Sequence, residues 1–398
     1  MDDIQVMICD DSALMRNLIQ RIVDGTDGMS VCATAMNGKF ALQKLETVKP
    51  DIIVLDIEMP EMNGVQFLEE RKKRNIKTPV LILSSIATKG AAVTMQCLEL
   101  GASDFITKPS GSTSSTITSV SGTIIEKISS YGGRFARLNG KQIPPTETFI
   151  QQAKLKEAEA DAAKKGIIDK IKPAHEAAPS TVLPPTLFAT RKKEPDVITP
   201  IAEPGPIEIV ALGISTGGPN ALREVFAAID PKFSKPILVV QHMPAGFTKE
   251  FAASLDRICP LAVKEAEDGD NIHPGQIYIA PGDYHIAVEK STLCNVIRLN
   301  QQDPRNGHRP SADVLFESVA KIYKNRALGI IMTGMGRDGA AQLAEMRRQG
   351  AWTLGQDEDS SIVYGMPRVA WELGAVQKQV SLENMASEMS RIVRENGK

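Results

Sequence analysis

Two groups of residues in separate halves of the chain could each carry out chemistry. In the first half, Asp10 and Asp11 directly follow an apolar segment, and Asp56 follows another. In the second half, Ser215 lies in a glycine-rich segment, residues 213–218, after a third apolar segment. Clustered carboxylates bind hard cations and can accept a phosphoryl group, while a serine at a sharp turn can act as a nucleophile. The sequence therefore predicts an N-terminal switch joined to a C-terminal hydrolase.

The three aspartates would meet at one edge of a parallel sheet, because the carboxyl ends of parallel strands share an edge. Three bare carboxylates repel one another, and Mg²⁺, which prefers hard oxygen ligands, would offset that repulsion. Lys108 follows a fourth apolar segment, and Ser84 ends the segment between them, so both side chains could contact phosphate oxygens. A single aspartate at a strand end is usually a solvated turn residue, but matched positions on several strands favour a phosphoryl-accepting site.

A serine nucleophile needs a base, and the chain contains five histidines. His242 is the first choice because it directly follows the apolar segment Ile237 to Gln241, which places it at the same sheet edge as the serine. His285 is the second choice, and His175 lies in a proline-rich stretch and is set aside. The candidate orienting acid is Asp338, which lies shortly after another apolar segment and would fix the imidazole tautomer.

Other interpretations of the second half stay open. The serine segment also matches the nucleophile elbow of α/β-hydrolases, but there the acid precedes the histidine. That order would require a different acid with His285 or His308, and it ranks lower. A glycine-rich turn before a helix can also cradle a phosphate, so a nucleotide-binding or scaffolding module is a rival to the hydrolase. A DNA-binding output is disfavoured, because no short basic helix-turn-helix is recognisable.

Both halves of the chain show the strands and helices that must position these residues. Short apolar segments alternate with stretches whose apolar residues recur at helical spacing, as a parallel α/β fold requires. The predicted strands are Ile4 to Cys9, Ile52 to Leu55, Val80 to Leu83, Asp104 to Thr107, Ile207 to Leu212, Ile237 to Gln241, Gln276 to Ala280, Gly329 to Met332 and Ala351 to Leu354. The chain of 398 residues exceeds what one core usually organises. We predict one domain over residues 1–128, a flexible charged and proline-rich linker over 129–206, and a second domain over 207–398.

Composition excludes several classes of function. The formal net charge of −2, with dispersed Lys and Arg, gives no long-range attraction for nucleic acid or anionic lipid. No apolar run approaches the length of a spanning helix, and the start of the chain lacks the features of a signal peptide, so we expect a cytoplasmic protein that does not insert into membranes. The five cysteines form no close pair, which predicts reduced packing residues.

Residues 2 to about 128 resemble the receiver domain of two-component response regulators. The resemblance rests on Cys9-Asp10-Asp11-Ser12, Leu55-Asp56-Ile57-Glu58-Met59-Pro60, Asn63-Gly64 and Thr107-Lys108-Pro109. It implies a flavodoxin-like fold in which Asp56 accepts the phosphoryl group and, with Asp10 and Asp11, holds Mg²⁺. It also implies that Ser84 and Lys108 sense the phosphoryl group.

Residues from about 207 onward resemble the catalytic domain of the chemotaxis protein-glutamate methylesterases. The motifs are Ser215-Thr216-Gly217-Gly218-Pro219, Gln241-His242-Met243-Pro244, Gly246-Phe247-Thr248, Ala280-Pro281-Gly282-Asp283, His308 to Phe316 and Thr333 to Gly339. The resemblance implies a doubly wound, mostly parallel α/β domain with nucleophile Ser215, base His242 and orienting acid Asp338. It further implies an oxyanion or substrate loop formed by Thr216, Gly217 and Met335.

Together the two resemblances imply a phosphorylation-regulated hydrolase of chemotaxis adaptation. Such an enzyme removes methyl groups from glutamate γ-methyl esters on chemoreceptors, releases methanol, and deamidates particular receptor glutamines. It needs no cofactor for the esterase step. Its implied partners are the methylated cytoplasmic domains of chemoreceptors and a phosphodonor histidine kinase. The connection is longer than that family's pattern predicts, which argues against tight packing of the two domains.

Overall fold

The computed structural model of the protein describes residues 2–84, 88–108, 114–169, 195–292 and 294–397. The strands of its N-terminal domain are β1 (Ile4–Cys9), β2 (Met29–Ala35), β3 (Ile52–Asp56), β4 (Val80–Ser84) and β5 (Asp104–Thr107). They form a parallel sheet of order β2-β1-β3-β4-β5. The flanking helices are α1 (Ala13–Asp24), α2 (Gly38–Leu45), α3 (Gly64–Lys73), α4 (Thr88–Glu99) and α5 (Ser114–Lys127). This strand order is that of flavodoxin-like folds, as predicted.

Local sequence explains where these elements begin. Ser12, Asn37 and Asn63 each accept a backbone N–H at the start of one of the first three helices, which satisfies a donor that has no partner within the helix. The four predicted strands are found within one residue of their predicted bounds. The sequence prediction missed β2, whose five central residues are only half-buried. An edge strand of that kind lacks the continuous apolar run that marks a buried parallel strand.

The C-terminal domain contains a second parallel sheet, of order β14-β13-β12-β6-β7-β9-β8. Its strands are β6 (Ile209–Ile214), β7 (Ile237–Gln241), β8 (Ala262–Glu265), β9 (Gln276–Ile279), β12 (Ala327–Ile331), β13 (Trp352–Gln356) and β14 (Lys378–Val380). A separate antiparallel hairpin is formed by β10 (His285–Lys290) and β11 (Asn295–Asn300). The helices are α8 (Gly218–Ala227), α9 (Thr248–Asp256), α10 (Ala312–Tyr323), α11 (Ala340–Arg348), α12 (Met366–Glu372) and α13 (Leu382–Asn396). The predicted doubly wound, mostly parallel class is confirmed.

The order of the second sheet explains where its site lies. The chain runs from β6 outward through β7 in one direction, and later returns to the other side of β6 to form β12. Such a reversal opens a crevice at the carboxyl ends of the strands, where α/β proteins bind their ligands. The segments that follow β6, β7 and β12 all lie at this crevice.

The predicted linker differs from the structure at its N-terminal end. A π-helical turn, Ile128–Gly132, continues the last helix of the N-terminal domain. Two further helices follow, α6 (Gly133–Leu138) and α7 (Thr146–Asp169). Helical structure therefore continues beyond the predicted boundary at residue 128, and the division into domains stays a prediction.

Three apolar anchors explain this difference. Tyr131, Ile143 and Phe149 are buried, and they pack into the core between the sheet and α5. These residues stand singly in a polar stretch, so composition gave no sign of a packed segment. The proline-rich part of the predicted linker, residues 170–194, lies outside the described residues, and so does His175.

The two domains are in direct contact, contrary to the loose packing expected from the long connection. The rings of Phe105 and Phe247 stack with centroids 4.7 Å apart. Asn220 Nδ2 donates to the carbonyl oxygens of Ala102 and Ser103, each at 3.0 Å. On the N-terminal side these two contacts come from β5 and the loop before it. Elsewhere, none of the helices in the described ranges combines the length and apolar character needed to span a bilayer.

Candidate active site

Ser215 lies where β6 ends and the chain turns into α8. Its backbone N–H donates to Thr333 O at 2.9 Å, which ties the turn to the segment that follows β12. Gly217 adopts a φ of 87°, and a methyl group there would lie 2.9 Å from the Ile362 side chain. Glycine is thus required at this position for both backbone conformation and space. The turn fixes the serine at the crevice, with 9% of its surface exposed.

The structure brings Ser215, His242 and Asp338 into one hydrogen-bonded chain. His242 Nδ1 lies 3.1 Å from Ser215 Oγ, and His242 Nε2 lies 2.8 Å from Asp338 Oδ2. An ionised carboxylate only accepts hydrogen bonds, so Nε2 carries the proton and Nδ1 is left as the acceptor for the serine hydroxyl. This tautomer is the one that a base for the serine requires.

Asp338 is held ionised by its surroundings. Burial alone would raise its pKa, but hydrogen bonds from His242, Ser311 and Asn306 outweigh burial and hold the pKa of Asp338 well below its usual range. Its other donor at short distance is the Ala312 N–H, 2.7 Å away at the start of α10. A helix N-terminus favours negative charge. Every contact therefore stabilises the carboxylate that would orient His242.

The loop of residues 305–311 reaches the same three-residue chain. The sequence places His308 and Ser311 in a family motif and makes His308 a lower-ranked base, but it gives no role to Asn306. Asn306 Nδ2 donates to Asp338 Oδ1 at 2.9 Å, and Ser311 Oγ donates to the same oxygen at 2.6 Å. The His308 ring stacks on that of His242, with centroids 3.9 Å apart and planes 10° apart. The sequence signals for this loop were the Asn306-Gly307 dipeptide, which is typical of tight turns, and the family motif that begins at His308.

His285, the second choice for the base, lies elsewhere in the domain. It begins β10 and is buried, and its Nε2 is 3.2 Å from Asp303 O. The carboxylate of Asp338 instead contacts His242. The geometry therefore gives no support to the hydrolase order that would use His285 or His308 as the base.

A second glycine-rich loop faces the serine. A methyl group on Gly334 would lie 2.7 Å from Ser215 Cβ, closer than such atoms approach, so only glycine lets this loop come so near. The Gly334 N–H is already used, since it donates to Val363 O at 3.0 Å. The next residue, Met335, is half-buried. Its backbone N–H remains a predicted donor to an oxyanion, together with the Thr216 and Gly217 turn.

The predicted phosphoryl-accepting residues also converge. One carboxylate oxygen from each of Asp10, Asp11 and Asp56 lies within 4.8 Å of the others. Lys108 Nζ lies 2.7 Å from Asp56 Oδ1 and 3.3 Å from Asp10 Oδ2. Burial raises the pKa of both Asp10 and Asp56. The negative charge of Asp11 also raises the pKa of Asp10, and that of Asp10 also raises the pKa of Asp56. The site therefore holds more negative charge than its lysine offsets.

This charge imbalance fits a divalent cation. Asp10 Oδ2 is buried, and among the described residues it meets the Lys108 ammonium at 3.3 Å but no well-formed hydrogen-bond donor. Asp11 is exposed and open to solvent. An all-oxygen set with one unsatisfied buried oxygen suits Mg²⁺, which keeps several waters and takes few protein ligands. Ser84, at the end of β4, lies with its hydroxyl 2.6 Å from Thr94 Oγ1.

The N-terminal domain touches the serine turn itself. Thr216 Oγ1 donates to Glu126 Oε1, in α5, at 2.6 Å. Arg134 donates to the backbone oxygens of Ser361 and Asp359, the second at 2.8 Å. The residue next to the candidate nucleophile is thus bound by a carboxylate from the other domain.

Two protein-family models match this chain. Residues 210–389 match the CheB methylesterase model, and residues 6–117 match the response regulator receiver domain model. The first match contains Ser215, His242 and Asp338, and the second contains Asp10, Asp56 and Lys108. The boundaries of both matches agree with the two sheets of the structure.

Relatives align over nearly the whole chain. A protein-glutamate methylesterase/protein-glutamine glutaminase of Treponema denticola is 56% identical over 396 residues, covering 99% of this chain and 100% of that protein. A protein of the same name from Treponema pallidum is 51% identical and covers 98% of this chain and 97% of its own. A crystal structure of the Thermotoga maritima CheB methylesterase catalytic domain is 36% identical, with a TM-score of 0.46, and covers 47% of this chain and 99% of that one. The Treponema alignments span both domains and the connection between them.

Proposed function

The chain belongs to the family of protein-glutamate methylesterases/protein-glutamine glutaminases with a receiver domain, and from this membership we propose its activity and its control. It hydrolyses glutamate γ-methyl esters on chemoreceptors, deamidates particular receptor glutamines, and is switched by phosphorylation of Asp56. The observation that carries the proposal is the hydrogen-bonded chain from Ser215 through His242 to Asp338.

The proposed reaction is acyl transfer in two halves. Ser215 Oγ attacks the γ-carbonyl carbon of the ester while His242 Nδ1 takes the hydroxyl proton, and Asp338 stabilises the imidazolium that forms. Collapse of the tetrahedral intermediate breaks the bond to the methoxy group, which leaves as methanol with the proton from Nδ1. A water molecule then attacks the glutamyl-serine ester with the same base and releases glutamate. With glutamine the leaving group is ammonia.

The negative charge that develops on the substrate oxygen needs donors. The backbone N–H groups of Thr216, Gly217 and Met335 are the proposed donors, since they belong to the two loops that flank Ser215. Fixed backbone donors in a site that excludes water stabilise such charge strongly. The close approach of Gly334 to Ser215 supports a site of this kind.

The proposed switch uses the carboxylate cluster. Asp56 accepts the phosphoryl group, and Lys108 and Ser84 bind its oxygens. Asp10, Asp11 and Asp56 would hold Mg²⁺, which offsets the negative charge of the carboxylates and the phosphoryl group when it is bound. The ammonium of Lys108, already 2.7 Å from Asp56, supports this assignment.

Control of the esterase follows from the position of the N-terminal domain. Unphosphorylated, this domain binds the serine turn through Glu126 and covers the crevice; phosphorylation shifts the population toward an open arrangement. A switch of this kind needs a coupling free energy of only about 1–3 kcal/mol between the two states. The contact between Thr216 and Glu126 supports the closed form.

The proposed partners follow from the same activity. The substrates are the methylated cytoplasmic domains of chemoreceptors, and the phosphoryl donor is the histidine kinase of the chemotaxis system. Both partners would be met in the cytoplasm. Neither nucleic acid binding nor membrane insertion is required.

The test is methanol release from methylated chemoreceptor membranes by the full chain and by Ser215→Ala. Each is assayed with and without a small-molecule phosphoryl donor and Mg²⁺. Release by the wild type alone, increased by the donor, supports both the enzyme and the switch. Release by Ser215→Ala would overturn the serine assignment, equal rates with and without the donor would overturn the switch, and tight nucleotide binding without any release would support the rival binding module.

A further inference from the structure

His308 is placed against the base by the conformation of its loop. Arg305 and His308 exchange two backbone hydrogen bonds of 3.1 and 3.0 Å across a tight turn. The two residues inside the turn, Asn306 and Gly307, both adopt positive φ, 54° and 81°. A backbone closed in this way holds the His308 ring at a fixed position over His242.

The same loop is anchored on Asp338. Asn306 Nδ2 donates to Asp338 and also to Asp313 Oδ2, at 2.7 Å, so one amide group bridges two carboxylates. Ser311, at the other end of the loop, donates to the same Asp338 oxygen as Asn306. The position of the His308 ring is therefore coupled to the carboxylate that orients His242.

His308 is held in its neutral form beside His242, the proposed base. Burial, and then the nearby His242, lower the pKa of His308 to about 4, while Asp338 acts in the opposite direction. His308 is consequently neutral near pH 7. A neutral ring adds no charge that would oppose the imidazolium that His242 becomes during the reaction.

We propose that His308 is a positioning residue, whose ring holds the imidazole of His242 in the plane that reaches both Ser215 and Asp338 and shields one face of it from water. The proposal rests on the function proposed above for the triad. A displacement of about 1 Å of a reacting group can lower a rate by about 100-fold, so an unsupported imidazole would be costly. What matters in this role is the flat aromatic face of His308, and its ring nitrogens are not needed.

The test compares His308→Phe, which keeps a flat ring, with His308→Ala, which removes it. Both are made in the full chain and assayed for methanol release with Mg²⁺ and a phosphoryl donor. We expect the kcat of His308→Ala to fall about 10- to 100-fold with KM unchanged, and that of His308→Phe to stay within about threefold of the wild type. An unchanged kcat in His308→Ala, or equal losses in the two variants, would overturn the proposal.

A second readout is independent of turnover. In protein labelled with ¹⁵N-histidine, the proton on His242 Nε2 gives an NMR signal only while it is protected by Asp338. We expect this signal in the wild type and in His308→Phe and its loss in His308→Ala; its persistence in His308→Ala would count against the proposal. Failure of the proposed function is seen separately, as an inactive wild type or an active Ser215→Ala, while thermal unfolding of the full chain reports that each variant is folded.

Discussion

The two sites lie at equivalent places in their domains, the carboxyl edge of a parallel sheet, yet their carboxylates are treated in opposite ways. Asp338 receives donors from His242, Asn306, Ser311 and a helix start, and its pKa lies well below the usual range. Burial raises the pKa of Asp10 and Asp56, and within the described part of the chain one buried oxygen of Asp10 meets only the Lys108 ammonium, at 3.3 Å. The hydrogen bonds to Asp338 are already formed, so we call the site of Ser215, His242 and Asp338 the prepared site. The cluster of Asp10, Asp11 and Asp56 carries more negative charge than Lys108 offsets, and we call it the unbalanced site.

This contrast follows from what each site is proposed to do. A base must already be oriented when substrate arrives, because reorganisation during the reaction adds to the barrier. A switch must instead respond to an added group, and a ligand shifts an equilibrium only through the difference in its interaction with the two states. A cluster with excess negative charge binds a cation favourably, and an added phosphoryl group, which is itself negative, strengthens that interaction. The same sheet edge thus serves as a prepared site in one domain and an unbalanced one in the other.

The largest effect is expected when the contact between Asp338 and His242 in the prepared site is disrupted. Asp338→Asn keeps the shape of the side chain but no longer stabilises the required tautomer of His242. We expect kcat for methanol release to fall about 10⁴-fold, as removal of the orienting acid does in serine hydrolases of this type. Steady-state kinetics on methylated receptor membranes measure it, with thermal unfolding as the check on folding.

Asp313→Asn is the matched control for this change. Asp313 is a buried carboxylate that shares the Asn306 amide with Asp338 but makes no hydrogen bond to His242 among the described contacts. Its loss should reduce kcat far less than Asp338→Asn does. Equal losses in the two variants would show that the surrounding network, and not the contact with His242, is what matters.

A smaller effect is expected when the unbalanced site is broken. Asp56→Asn removes the proposed phosphoryl acceptor, so the stimulation of methanol release by a phosphoryl donor should disappear. Coupling of about 1–3 kcal/mol would make that lost stimulation about 5- to 150-fold. Phosphorylated protein is counted by mass spectrometry in Asp56→Asn and in Ser215→Ala, which should still accept the group. Stimulation that survives in Asp56→Asn would place the acceptor elsewhere.

The connection between the two sites gives a third prediction. Glu126→Ala removes the acceptor of the Thr216 hydroxyl from the closed form, and a typical hydrogen bond contributes a net of about 0.5–1.5 kcal/mol. We expect the unphosphorylated rate to rise about 3- to 10-fold, with a smaller further gain on phosphorylation. The assay is methanol release without a phosphoryl donor.

Glu99→Ala is the control at the same interface. Glu99 pairs with Arg257 at 2.7 Å and with Arg223 at 3.5 Å, away from the serine turn. Partly exposed ion pairs of this kind contribute about 0–1 kcal/mol, so the basal rate should change little. An equal rise in both variants would mean that domain contact in general, and no particular bond to Thr216, restrains the esterase.

Much of this arrangement could be predicted from the sequence, because buried parallel strands are continuous apolar runs. Ile52–Asp56 and Ile237–Gln241 are fully buried strands, and a polar residue at the end of each must lie at the sheet edge. That reasoning placed Asp56 and His242 correctly in space. Their chemical roles stay predictions.

The contacts that the sequence did not reveal depend on loop geometry or on single residues. Asn306 and His308 reach the dyad of His242 and Asp338 only because the turn adopts positive φ, which no periodic pattern encodes. The hairpin strand His285–Lys290 ends in exposed charged residues and lacks a continuous apolar run. Phe149 anchors α7 alone in a polar stretch. Where one side chain decides the packing, pattern recognition has too little signal.

The smallest expected effect is on thermal stability, to which the charges of Asp10 and Asp338 contribute with opposite signs. The folded state raises the pKa of Asp10 above the ordinary aspartate value of 3.8 because burial penalises its charge. The ionised form therefore destabilises the domain at neutral pH, and the destabilisation is relieved as pH falls toward that pKa. Asp338 behaves in the opposite sense: its pKa is lowered, so its contribution is present above 3.8 and is lost only as pH falls below that value.

Asp10→Asn should accordingly stabilise the N-terminal domain when Mg²⁺ is removed by a chelator. Relief of about 1 kcal/mol corresponds to a rise in Tm of roughly 4 °C for a domain of this size. Added Mg²⁺ should raise the Tm of the wild type, because a ligand that binds only the folded state stabilises it, and should raise that of Asp10→Asn much less. Differential scanning calorimetry of the full chain measures both shifts. A fall in Tm in Asp10→Asn without Mg²⁺ would show that the Asp10 charge is already balanced by Lys108, and the proposed contrast between the two sites would then disappear.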